Sequence, residues 1–264
     1  MKHPSVLIFA GSDPSGGAGL QADIQAVAAL GAHPLTVVTA LTVQDNDRVF
    51  AVHPTPAALV EQQALALIEK INISTVKIGI VGNHANAEAI TGIVRRLKQA
   101  KPELHVVLDP VLASGHGDTL STENAVQAIM PLLPVATLIA PNLPEAMTLC
   151  GGETAIDKQA QMLLRYSPNI LIKGGHDTGV EVINRWFTQG RNRAWAWPRL
   201  GGSFHGTGCT LASAIAALLA QGKPVEEALA SAQAYCHQAL LSSYAIADGQ
   251  RIPNRSVSFF GENA

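Results

Sequence analysis

The chain alternates short apolar or β-branched runs with longer stretches of helical spacing. Residues 5–10, Ser-Val-Leu-Ile-Phe-Ala, predict a strand buried on both faces. A glycine-rich loop over 11–17 follows, and 18–30 predict a helix stopped by Gly31. Further strands are expected at 35–41, 75–81, 105–109, 137–140 and 170–173. Helices are expected at 56–71, 83–100, 122–130, 143–150, 155–165, 207–221 and 225–244. Residues 180–188 and 193–197 alternate around the turn Gln189-Gly190-Arg191-Asn192 and predict a β-hairpin. Strands alternating with helices predict parallel βαβ units. The expected fold is therefore α/β, a mostly parallel central sheet with helices on both faces. Neither a repeat nor a linker interrupts the pattern, so one domain over residues 1–264 is expected.

Composition narrows the function. The 264 residues carry 18 Lys+Arg against 20 Asp+Glu, a formal net charge of -2. Without a basic excess to neutralise phosphates, a nucleic-acid partner is not expected. Hydrophobic residues make up 47%, which excludes a disordered chain. Three scattered cysteines, Cys150, Cys209 and Cys236, form neither a disulfide framework nor a zinc spacing, and a reduced cytoplasmic setting is expected. The apolar stretch 209–220 is too short to span a bilayer, so no membrane partner is expected.

In open α/β sheets ligands bind at the carboxyl ends of strands, and several polar clusters fall there. The first is Gly11-Ser12-Asp13-Pro14-Ser15-Gly16-Gly17-Ala18-Gly19, whose glycines let backbone approach a ligand or simply make a tight turn. It has neither Walker nor dinucleotide-fingerprint spacing. Asp109-Pro110 and Asn142-Leu143-Pro144-Glu145 each end a predicted strand; an acid there can hold magnesium or serve as a cap or turn residue. Two such acids on one sheet edge favour a metal site. Lys173, before Gly174-Gly175, suits a phosphate, or is a surface Lys with a buried stem. The segment 201–210 ends in Gly206-Thr207-Gly208-Cys209-Thr210 and opens a helix. Unblocked N–H groups there would favour an anion and lower the Cys209 thiol pKa; close packing around an inert Cys is the alternative. Together these parts suit phosphoryl transfer, which needs positioning and charge neutralisation.

Six ordered blocks carry a resemblance: residues 11–23, 39–44, 109–111, 141–146, 171–176 and 205–210. They resemble the hydroxymethylpyrimidine/phosphomethylpyrimidine kinases of thiamine biosynthesis, with a ribokinase-like fold, over nearly the whole chain. The resemblance implies transfer from ATP, with Mg2+, to 4-amino-5-hydroxymethyl-2-methylpyrimidine and then to its monophosphate. It implies that Gln44 binds the pyrimidine amino edge, with Asp23 and the Gly11 backbone lining the same pocket. Asp109 and Glu145 would hold magnesium, and Lys173 and Thr207 would meet the ATP phosphates. Gly206, Thr207, Gly208 and Cys209 would form the anion hole, with Cys209 taking part in proton transfer from the alcohol. By analogy within the fold, a homodimer is expected. Residues 112–118 lack the Lys that many relatives carry there, which predicts a slower second transfer. The competing readings are a pyridoxal or pyridoxine kinase on the same fold and a non-catalytic pyrimidine-binding regulator.

Overall fold

A computed structural model describes residues 3–118, 120–121 and 124–257. Strand β1 (Ser5–Ser12) runs through the interior with only its last residue partly exposed. Its side chains alternate, as strand geometry requires, between two separate cores. Leu7 and Phe9 join one; Val6, Ile8 and Ala10 join the other. This is the physical meaning of the uncharged run read from the sequence: both faces of the strand are covered.

Around β1 lies one nine-stranded sheet, completed by β2 (His33–Gln44), β3 (Val49–Pro54), β4 (Thr75–Ile78), β5 (His105–Leu108), β6 (Leu138–Ile139), β7 (Ile170–Ile172), β8 (Glu181–Phe187) and β9 (Asn192–Pro198). The order is β3-β2-β1-β4-β5-β6-β7-β8-β9. From β2 through β7 neighbours are parallel; β3 at one edge and β8 and β9 at the other are antiparallel. Helices α1 (Gly19–Ala29), α7 (Thr207–Ala220) and α8 (Val225–Leu241) contribute the core on one face. Helices α2 (Ala57–Ile68), α3 (His84–Ala100), α5 (Leu143–Leu149) and α6 (Ile156–Leu163), with the 3-10 segment Met130–Val135, cover the other. The intervening helix α4 (Ala125–Ile129) is short. Helix α7 is apolar nearly all round, and Ala214, Ile215, Ala216, Ala217 and Leu218 are wholly buried. Its small residues let it lie against both neighbouring helices and the sheet. The α/β expectation holds.

Three local expectations differ. The predicted second strand extends to Gln44 and pairs with β3, which the sequence did not suggest. Val49–Pro54 does not alternate cleanly and ends in proline, features an edge strand tolerates. The helix expected at 122–130 is only α4, capped by Asn124, before Pro131 and Pro134 tighten the chain into the 3-10 segment; positions 122 and 123 lie outside the described residues. The last helix ends at Leu241, and Tyr244 instead bridges to Ile252. Among the described residues no helix is long and apolar enough to cross a membrane.

The chain leaves β1 for β2 on one side and returns to β4 on the other, so the strand order switches between β1 and β4. Such a switch opens a crevice at the carboxyl edge, and the loops after β1, β4, β5, β6 and β7 gather there.

Candidate active site

Asp13 organises the loop after β1. Its carboxylate accepts hydrogen bonds from the N–H groups of Ser15 (2.8 Å) and Ala18 (2.7 Å) and pairs with His205 Nε2 (2.9 Å). Burial raises its pKa, but these bonds, His205 first, outweigh that and hold it at about 2. The loop then opens α1 through Gly19, at φ +56, where a Cβ would overlap the Gly11 carbonyl oxygen. A second glycine turn meets the first. Gly206, at φ +77, precedes α7, and a Cβ there would overlap the Gly17 carbonyl oxygen. No side chain caps α7. Its first-turn N–H groups therefore face the crevice as an anion-binding set.

Two charged side chains, Lys173 and Asp109, sit against this turn on the crevice side. Lys173 Nζ lies 2.6 Å from Asp109 Oδ1, and both lie beside Gly208, where an added Cβ would be 3.4 Å from Nζ and 3.5 Å from Oδ2. Burial works against the Lys173 charge, but Asp109 and Glu145 outweigh it and raise its pKa. Glu145 caps α5 reciprocally with Asn142: Asn142 N–H donates to Glu145 Oε2 (2.7 Å), and Glu145 N–H donates to Asn142 Oδ1 (2.9 Å). Burial, aided by Asp109 and opposed by Lys173 and the Asn142 N–H, pushes the Glu145 carboxyl up to about 7.

A cavity of about 450 Å³ joins these groups to the rest of the crevice. One end is lined by Gly11, Thr42, Gln44, Val49, Ile80 and Val111, with the charged Asp45, Asp47 and Arg48 nearby. At the other, Trp197 and His237 meet with ring centroids 5.1 Å apart and planes tilted by 35°. Gly206 to Cys209, Asp109, Glu145 and Lys173 lie between. Of the residues singled out from the sequence, Gly11, Gln44, Asp109, Glu145, Lys173, Gly206, Thr207, Gly208 and Cys209 share this one cavity.

Asp23 does not. It faces inward from α1, fully buried, where Lys77 Nζ donates to both carboxylate oxygens (2.9 and 2.8 Å) and Ser213 Oγ donates to Oδ1 (2.7 Å). The expectation that it lines the pocket is corrected: its position on the buried stripe of α1 turns it toward β4. Lys77 was missed, although a lone charge in the apolar strand Thr75–Ile78 demands a buried partner and could have been read. For Cys209, of the two readings left open, burial favours the protonated thiol. Cys209 is partly open to the cavity, yet burial among its neighbours pushes it up to about 11. Lys77 and the Gly19 N–H facing the sulfur offset this only in part. Arg255, wholly buried beyond the last helix, gave no sequence signal.

Two carboxylates facing one cavity fit a hydrated magnesium ion, which takes one or two carboxylates plus substrate phosphates and keeps several waters. No denser cluster of three acidic, His or Cys ligands occurs among the described residues.

Comparison with known proteins agrees with this geometry. The family model described as phosphomethylpyrimidine kinase matches residues 13–254. A hydroxymethylpyrimidine/phosphomethylpyrimidine kinase from Rhizobium meliloti is 38% identical over 252 residues, 92% of this chain and 93% of that one. The bifunctional ThiED of Geobacter sulfurreducens is 39% identical over 89% of this chain, and the chain spans 49% of its length. It spans 34% of the multifunctional ThiED of Corynebacterium efficiens. Among solved structures, an ADP complex of Bacillus subtilis pyridoxal kinase superimposes with TM-score 0.85 at 25% identity, covering 97% of this chain and 98% of that one. A phosphomethylpyrimidine kinase from Clostridium difficile superimposes with TM-score 0.76 at 31% identity, covering 90% and 100%. The chain belongs to the phosphomethylpyrimidine kinase family.

Proposed function

We propose that the chain is an ATP-dependent hydroxymethylpyrimidine/phosphomethylpyrimidine kinase of thiamine biosynthesis. It phosphorylates the hydroxymethyl group of 4-amino-5-hydroxymethyl-2-methylpyrimidine and then the resulting monophosphate. The observation that carries this reading is the single cavity linking the Gln44 slot to the uncapped start of α7. Phosphoryl transfer needs an acceptor alcohol held in line with a charge-neutralising cradle, and the two ends of the cavity supply these.

In this reading the Gln44 amide both donates to and accepts from the aminopyrimidine edge. The aromatic wall at Trp197 and His237 takes the nucleotide base. Lys173 leaves Asp109 for the phosphates, and Asp109 with Glu145 holds Mg2+, which would neutralise charge on the phosphate oxygens. Thr207 and the N–H groups from Gly206 to Cys209 receive the transferring group. Cys209 is a neutral thiol at pH 7, so it meets the alcohol as a hydrogen-bonding partner rather than a preformed base. A loose transition state asks for little more.

The likeness to pyridoxal kinases favours one other reading, since pyridoxal also presents a hydroxymethyl arm on a flat heteroaromatic ring. Turnover of the pyrimidine alcohol, its monophosphate and pyridoxal, each with and without Mg2+, tests both. The expected result is Mg2+-dependent transfer to the alcohol, slower transfer to the monophosphate and weak transfer to pyridoxal. Preferred use of pyridoxal would replace the proposal.

A further inference from the structure

Among the described residues, Arg255 is the bulkiest side chain withdrawn from solvent, at 1% exposure, and it comes from the segment after α8 rather than from a helix or strand. The backbone around it is anchored. Tyr235 Oη donates to the Arg255 carbonyl (2.7 Å), and Asn254 N–H donates to the Ala239 carbonyl (2.9 Å). Its guanidinium spans both glycine turns. It donates to the Gly17 carbonyl in the first loop, to Thr210 Oγ1 (2.8 Å) in the first turn of α7, and to Gln25 Oε1 (3.4 Å) in α1. A Cβ on Gly206 would come within 2.9 Å of Nη2, so the guanidinium lies directly behind the turn.

Two consequences follow from chemistry. Thr210 Oγ1 accepts from Arg255 and donates to the Gly206 carbonyl (2.8 Å). A peptide unit is planar and trans, so fixing the Gly206 carbonyl fixes the opposite direction of the Thr207 N–H. The second consequence concerns charge. Lys77 is neutralised by Asp23 and Lys173 by Asp109, whereas Arg255 meets only neutral oxygens, with no carboxylate in ion-pair range among the described residues. A buried guanidinium with no acidic partner is costly to folding. It leaves an uncompensated positive charge behind the helix start, adding to the field of α7.

We infer that Arg255 is a positioning residue for phosphoryl transfer. It clamps the Gly17 and Gly206 turns together, orients the Thr207 N–H through Thr210, and supplies the positive background of the anion hole without touching substrate. This inference rests on the phosphotransferase reading of the same site. Wild-type turnover tests that reading by itself, and the ratio of variant to wild type tests Arg255.

The experiment compares Arg255→Lys, Arg255→Gln and Thr210→Val with the wild type in full-length protein, measuring kcat and KM for the pyrimidine alcohol and for ATP, with melting temperatures. Arg255→Gln is expected to lower kcat by about 10- to 100-fold, with KM for the alcohol changing by less than about threefold. Arg255→Lys, keeping charge but not the fork, falls between Gln and wild type. Thr210→Val, keeping the charge but not the relay, also lowers kcat. The proposal is overturned if Arg255→Gln keeps kcat within about twofold of wild type, or if every loss only tracks the unfolded fraction. Should Arg255→Gln fail to fold, Thr210→Val decides, and an unchanged kcat there overturns the proposal.

Discussion

At Cys209 and Glu145 the protein sets ionisation against its usual values, and each makes a measurable demand. The Cys209 thiol, pushed up to about 11, carries its proton throughout the working range. Cys209→Ala is expected to lower kcat by about 10-fold, as for loss of one hydrogen-bonding partner of the alcohol, while leaving the shape of the pH profile between about pH 6 and 9 unchanged. Near-wild-type turnover would assign the residue to packing. Glu145 is raised from 4.5 to about 7 in the folded chain, chiefly by burial. Between those values the folded chain binds a proton that the unfolded chain has released. Its contribution to stability is therefore full below 4.5, is lost as pH rises through about 7, and is flat above. Glu145→Gln keeps an acceptor for the Asn142 N–H and removes the titration. The melting temperature of the variant relative to wild type should rise between pH 5 and pH 8, and a constant difference would refute the assignment. Glu145 and Cys209 were legible as candidates because they follow a strand end or open a helix. Their proton affinities were not, since burial and the charges of Lys77, Asp109 and Lys173 come from distant segments that no local pattern displays.

Element by element, the glycine turns decide whether α1 and α7 can meet. Gly206→Ala introduces both left-handed strain and a Cβ against the Gly17 carbonyl oxygen and, at 2.9 Å, the Ala18 Cα. Gly152, at φ +94 with nothing within 4 Å of its would-be Cβ, isolates the strain alone. Both alanine variants should lose about 1–2 kcal/mol of stability from the left-handed conformation. Only Gly206→Ala should also lose kcat, by about 100-fold, because the anion-binding N–H groups are displaced. Equal kcat in the two variants would show that the close approach does not matter. The parallel strands β1, β5, β6 and β7 were readable as short uncharged runs because both of their faces are covered. The β8–β9 hairpin was readable from its alternation and turn. β3 was hidden because an edge strand need satisfy only one neighbour and one partly buried face. Asp23 misled for a related reason: its motif sits at a pocket, while its position on the inner stripe of α1 sends the side chain to Lys77.

Across the whole molecule, the sheet keeps its tasks on separate strands. The acids, Lys173 and the start of α7 gather at the carboxyl ends of β5 to β7, in the parallel centre. Gln44 and Val49 stand instead on the hairpin of β2 and β3, at the sheet's antiparallel margin. The backbone superimposes on pyridoxal kinases with TM-score 0.85, although only a quarter of the residues match in the Bacillus subtilis case. In the proposed reading, preference for a heterocycle belongs to a peripheral ribbon, while the apparatus for phosphorus is buried where change is costly. On that reading, a change of heterocycle would call for remodelling that ribbon while the transfer chemistry stays in place.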